Sequence, residues 1–169
     1  ITTATGGAQE DYDFHTKILG LKSVKKTAFY DGPMPIYHLY YGNDTGEESS
    51  LLTSFPMAHT GVKGRKGSGQ VSYVSLSIPS SALDFWRARL TEHGFEVKDN
   101  ERFGEKYLDF QHPCGVEYAL VAIDEGNEGV PELEGEWVEG NYGRDLSCRR
   151  RVGLIGLVLA LCIFGRGRG

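Results

Sequence analysis

From Val71 to Pro79 the chain alternates, with Val74, Leu76 and Ile78 on one parity and Tyr73, Ser75 and Ser77 on the other. A period of two predicts a strand with one face in a core. Leu83, Trp86 and Leu90 then recur at helical spacing, with Ser80 or Ser81 as the expected N-cap and Gly94 as the stop. Three strand-like runs follow, Phe95–Asp99, Lys106–Gln111 and Val116–Ala122, with the turn "HPCG" (His112–Gly115) before the last.

The same order occurs earlier in the chain. Ile1–Thr5 is β-branched and strand-like, and Gly6-Gly7 breaks it. Ala8–Leu19 predicts a helix with Tyr12, Phe14, Ile18 and Leu19 on one apolar arc, and Gly20 stands where a C-terminal cap belongs. Strands are expected at Leu21–Tyr30, Ile36–Tyr41 and Ser50–Phe55, with turns at Gly32-Pro33 and Gly42–Gly46. "DFHTKILGLKSV" (Asp13–Val24) and "DFWRARLTEHGFEV" (Asp84–Val97) are the two versions of one helix-to-strand phrase. The fold class is therefore α+β, two βαβββ modules forming a curved, cup-like mixed sheet, a shape that suits a small ligand. The expected layout is a first module over residues 1–57, a connector over 58–70, a second module over 71–124, an acidic linker over 125–145 and a tail over 146–169.

Charge narrows the partners. The net charge is −5, and no basic block occurs in the first 140 residues, so nucleic acid is excluded as the main partner. The three cysteines, Cys114, Cys148 and Cys162, show no metal spacing and fit a reduced, cytoplasmic setting. Acids cease after Asp145, and the tail carries five Arg around a fourteen-residue apolar run, Val152–Gly165. That run is shorter than the ~20 residues a membrane span needs. A membrane anchor, a buried helix and a segment foreign to the fold are the three readings. The abrupt loss of acids favours the last.

"DFHTKILGL", "HPCG" and the paired modules resemble the vicinal-oxygen-chelate superfamily of glyoxalase I, bleomycin-resistance proteins and extradiol dioxygenases. "VKKTAFYDGPMPIYHLYYGNDTG", "LLTSFP" and "GRKGSGQV" are similar to the N-terminal half of hydroquinone-type ring-cleaving dioxygenases. The resemblance implies oxidative cleavage of a dihydroxylated aromatic with Fe(II) and O₂, the metal held by two His and a carboxylate that leave adjacent positions open. It places one ligand His immediately before Ile1, and the second module reads Tyr73 and Ala119 at its ligand positions. This chain alone is thus expected to bind no metal and to be inactive until paired with a second half. Homo-oligomerisation is the other assembly that the modules allow. The competing function is a non-catalytic module that binds a small molecule, as resistance proteins do.

Four residues are candidates for a substrate pocket. His38 and Tyr40 share a strand face in "IYHLYY", Tyr73 opens the second module, and Glu117 shares a parity with Ala119. For His38, packing within the strand is the simpler account. His15 falls in the first apolar arc and is expected to pack rather than ligate. His59, His93 and His112 are expected to be solvated, and Cys114 is given no nucleophilic role. "GRKGSG" (Gly64–Gly69) lacks the phosphate-loop pattern and reads as a connector.

Overall fold

The computed structural model describes residues 1–31, 34–43, 46, 50–61, 64, 73–123, 147–148 and 159–160. Strand β1 (Thr2–Thr5) leads to helix α1 (Ala8–Asp13), then to β2 (Lys22–Asp31), β3 (Met34–Gly42) and β4 (Leu52–Pro56). The order repeats with β5 (Val74–Pro79), helix α2 (Leu83–Glu92), β6 (Lys98–Arg102), β7 (Glu105–Gln111) and β8 (Glu117–Ile123). Two short strands follow, β9 (Ser147–Cys148) and β10 (Leu159–Ala160).

The repeat is also visible in pairing. One sheet runs β10-β1-β4-β3-β2 and the other β6-β7-β8-β5-β9. In each, the first strand of the module lies parallel to the last (Thr3 opposite Ser54, Leu76 opposite Leu120), and the remaining module pairs are antiparallel. Parallel pairing is possible there because the helix provides the crossover. The edge strands β2 and β6 are dense in Lys, Asp, Asn and Arg, which discourages further strand addition.

One apolar core joins the modules. Leu39, Tyr41 and Leu52 of the first sheet belong to the same buried cluster as Val74, Leu76, Ile78, Leu108 and Leu120 of the second. Trp86 and Leu90 of α2 are 1% and 0% exposed, and Leu83 packs at the rim. Phe14 crosses between modules, with ring centroids 5.7 Å from Phe95 and 5.3 Å from Tyr118. Arg89 of α2 reinforces the join by donating Nε–H to the carbonyl of Ile18 at 2.8 Å.

Several expectations need correction. Ala8–Leu19 is not one continuous α-helix: α1 ends at Asp13, and Phe14–Ile18 forms a π turn in which Leu19 N–H reaches the Phe14 carbonyl at 3.0 Å. Gly20, at φ +70°, then reverses the chain so that Leu21 N–H bonds the His15 carbonyl. Neither Ser80 nor Ser81 caps α2 through its side chain; Ser80–Ala82 is a 3₁₀ turn, and Ala82 is the N-cap. The sixth strand begins at Lys98 rather than Phe95, because Phe95 and Val97 turn inward to pack on the core. The Gly32-Pro33 turn, the acidic segment 125–145 and most of the Gly64–Gly69 connector lie outside the described residues, as does most of the tail. Within the tail, Leu159–Ala160 pairs with Thr2–Thr3 and Ser147–Cys148 with Leu76–Ser77. Among the described residues, no helix is long and apolar enough to cross a membrane.

Candidate functional site

Each sheet turns one face to its helix and leaves the other without one. On the helix-free face of the first sheet, register places His38 beside Thr27, and Tyr40 beside Thr53. Tyr40 Oη lies 2.8 Å from His38 Nδ1, and the His38 ring stacks on Phe55 at 4.0 Å. Phe29 adds an edge contact to Phe55 at 5.6 Å. With the Tyr40 hydroxyl donating to Nδ1, His38 Nε2 carries the hydrogen, and that buried atom has no hydrogen-bond partner. Burial, helped by the charge of Lys25, lowers the His38 pKa and keeps the ring neutral.

The second sheet's helix-free face carries the other two candidates. Tyr73 lies under the Arg102 guanidinium, 4.5 Å from ring centroid to carbon, and Arg102 pairs with Asp109. Glu117 accepts a bond from Gln111 Nε2 at 2.9 Å. Val74 pairs with Tyr118, so Tyr73 and Glu117 stand side by side at the start of β5 and β8. The structure thus brings His38 to Tyr40 and Tyr73 to Glu117, on separate sheets.

A second polar cluster lies inside the core, where α1 meets the turn before β8. Asp11 Oδ2 accepts bonds from Tyr41 Oη at 2.8 Å and Ser54 Oγ at 2.5 Å. Asp11 Oδ1 faces His112 Nε2 at 3.4 Å and His15 Nδ1 at 3.5 Å. All three residues are buried, at 0% exposure for Asp11 and His15 and 1% for His112. His15 donates Nδ1–H to the Asp11 carbonyl at 2.8 Å, which leaves Nε2 to accept from Tyr118 Oη at 3.0 Å. His112 Nδ1 accepts the Cys114 N–H at 3.0 Å and lies 2.8 Å from Cys114 Sγ.

These contacts set the charges. Burial pushes the Asp11 carboxyl up, but bonds from His112, Ser54 and Tyr41 and the field of His15 outweigh it and hold it at about 2. Burial pushes His112 down, but Asp11 and Cys114 outweigh it and raise it to about 9. His15 stays neutral, lowered to about 4, because burial dominates over the attraction of Asp11. Tyr41 is raised by burial and by the adjacent Asp11 charge.

Two expectations are corrected here. His112 is not solvated; the turn before β8 folds it inward against Phe14 at 4.4 Å. Cys114 does have a His at hand, two residues upstream. His15 packs, as expected, although inside a polar cluster. His93 is exposed, and His59 is exposed with its Nε2 bonded to the Pro35 carbonyl at 3.1 Å. Asp11 was missed because an acid in a first helical turn reads as solvated. Its one signal was its i, i+4 spacing to a His lying in an apolar arc.

Asp11, His15 and His112 form the group whose ligand atoms lie within 4.8 Å of one another, close enough to consider a metal. The donor chemistry does not suit one. His15 Nδ1 must carry a hydrogen to satisfy the Asp11 carbonyl, so it has no lone pair to give. His112 Nδ1 accepts a backbone N–H, whereas a ligating imidazole donates from its second nitrogen. On the helix-free faces, Ala119 offers no donor atom, and Tyr73 is engaged by Arg102. Asp11, His15 and His112 thus come together as one carboxylate and two imidazoles whose hydrogen bonds tie them to one another and to their own backbone.

No family model matches the chain. It is 46% identical over 133 residues to a chlorohydroquinone/hydroquinone 1,2-dioxygenase of Sphingobium indicum, covering 78% of this chain and 41% of that protein. A solved Bacillus subtilis structure described as a dioxygenase superimposes with TM-score 0.69 at 40% identity, over 75% of this chain and 40% of that one. These matches support the vicinal-oxygen-chelate superfamily. A glyoxylase/bleomycin resistance protein/dioxygenase domain from Frankia shares this superfamily's fold, with TM-score 0.59 at 14% identity over 72% of this chain and 93% of that domain. The chain spans between 41% and 45% of the length of the curated vicinal-oxygen-chelate relatives it matches, and the match lies in their N-terminal half.

Proposed function

We propose that this chain is one half of an extradiol-type ring-cleaving dioxygenase that acts in the cytoplasm on a dihydroxylated aromatic with Fe(II) and O₂, and that it turns nothing over alone. The observation that carries the reading is the 46% identity over 133 residues to an enzyme named for hydroquinones. Iron would supply the joint binding of ring and O₂. Because the bonds of His15 and His112 engage their ring nitrogens, this reading assigns the iron ligands to the rest of the enzyme. This chain's own contribution is a surface for the substrate. Phe55 and Phe29 offer apolar area to a flat ring, and beside Phe55 the buried, unpaired Nε2–H of His38, whose ring is held by Tyr40, is left for a phenolic oxygen that inserts there. Tyr73 and Glu117 are the second sheet's candidates for the same role.

Oxygen uptake tests the reading, with hydroquinone and chlorohydroquinone as substrates and Fe(II) added. The chain alone should match the iron-only control. Mixing it with the missing C-terminal portion of the Sphingobium enzyme should restore turnover, and His38→Ala should lower the restored rate by about tenfold or more. Turnover by the chain alone would overturn the half-site assignment. Ring binding without turnover in the mixture would favour a binding module of the resistance-protein type, which Ala119 at a ligand position also suits.

A further inference from the structure

We propose that Cys114 is an activated thiol, a modification site for α,β-unsaturated carbonyl compounds, in which His112 accepts the thiol proton and Asp11 holds His112. The inference is independent of the dioxygenase reading. Its basis is a chain of contacts from solvent into the core. Cys114 is exposed, and its Sγ lies 2.8 Å from Nδ1 of a histidine that is 1% exposed. The backbone N–H of Cys114 also points at that nitrogen, at 3.0 Å, so Nδ1 is the basic nitrogen and Nε2 carries the hydrogen. Nε2 faces Asp11 Oδ1 at 3.4 Å, and neither of these two buried atoms has a hydrogen-bond partner elsewhere. Tyr41 and Ser54 occupy only the other carboxylate oxygen. Each orphaned atom is therefore left to the other, the order of groups that makes a histidine a base toward a nucleophile.

Asp11 is ionised, and with Cys114 it raises the pKa of His112 against burial, to about 9, so the imidazole keeps the proton that it takes from the thiol. The other titratable groups facing His112 are His15, neutral at 5.7 Å between rings, and Tyr118 at 6.3 Å. From the α1 side Cys114 meets Gly6, whose added Cβ would lie 3.2 Å from the cysteine Cβ, with Glu10 close by. Glycine at this position leaves the space beside the Cys114 Cβ free of a side chain.

The step balances without an oxidant. The thiol proton passes to His112 Nδ1, and sulfur forms a bond to the β-carbon of the acceptor. The carbon–carbon π pair moves toward the carbonyl as an enolate, and the proton returns from His112 or water to the α-carbon. The product is a neutral thioether.

The experiment is the rate of N-ethylmaleimide addition to Cys114 in the full chain, followed by peptide-resolved mass spectrometry between pH 5 and pH 9. The reference is the unfolded peptide of residues 109–118, which holds His112 and Cys114 but lacks Asp11. At pH 6 the folded chain should react about tenfold or more faster than the peptide. His112→Gln should bring the folded chain down to the peptide's rate. If that variant does not fold, the wild-type comparison with the peptide decides alone. A folded rate equal to or below the peptide's at pH 6 overturns the proposal.

Discussion

The two modules follow one plan and fill it differently. Aligning Asp13-Phe14-His15 with Asp84-Phe85-Trp86 sets His15 opposite Trp86 and Leu19 opposite Leu90. Trp86 is 1% exposed and His15 is 0% exposed, so both fill a gap between helix and sheet. Trp86 does so as part of the apolar cluster, whereas His15 hydrogen bonds to Tyr118 and to its own helix, with Asp11 and His112 beside it. The second module contributes apolar bulk, while the first holds a charged network that is completed by His112 and Tyr118 of the second. The same backbone position can therefore stabilise a module or tie two modules together, depending on whether it needs partners.

Removing the apolar filler should do the most damage. Trp86→Ala is expected to cost roughly 3–5 kcal/mol in chemical denaturation, through lost burial and the cavity left behind. A loss below about 1 kcal/mol would mean that the helix stripe carries little of the core. Asp11→Ala comes next, at about 3 kcal/mol, because it strands a buried imidazolium and takes the acceptor from Tyr41 and Ser54. Asp11→Asn, which keeps the shape, should cost less. Equal losses would show that the charge accounts for the whole effect, and no loss in Asp11→Asn that it contributes nothing.

The pH dependence separates the two buried histidines. His112, raised to about 9, contributes stability that is whole below its unfolded value near 6.5 and fades as pH rises through 9. His15, lowered to about 4, works the other way, since the unfolded chain takes up its proton first and stability falls from pH 6.5 toward 4. Asp11, lowered to about 2, adds a further loss below pH 4. The melting temperature should peak near pH 6.5, with each flank worth on the order of 1–3 kcal/mol. His15→Leu should flatten the acidic flank alone, and at pH 6.5 should cost about 1–3 kcal/mol through the lost bonds to Tyr118 and the Asp11 carbonyl. The smallest effect belongs to the outside of α2. Arg87 bridges Asp84 and Asp99 in solvent, and Arg87→Ala should change stability by about 0.5 kcal/mol or less, a difference that high salt removes.

What the sequence disclosed tracks what is local. Alternation at Val74–Ile78, the stripe of Leu83, Trp86 and Leu90 and the stop at Gly20 were legible because each depends on neighbours within a turn or two. So was the shared face of His38 and Tyr40, two residues apart on one strand. The buried network was not legible, because Asp11 and His112 are polar, lie far apart in the chain and meet only when the modules dock. The π turn at Phe14–Ile18 was hidden for a related reason: composition gives no sign of a widened turn that the packing between modules imposes.

The most direct test is a titration of the imidazole nitrogens by ¹⁵N NMR in the intact chain, with each ring assigned by single substitution. His112 should remain protonated until about pH 9, and His15 should remain neutral down to about pH 4, on either side of an ordinary histidine. If both rings titrate together near 6.5, the carboxylate of Asp11 does not organise the junction, and the contrast drawn between the two modules is wrong.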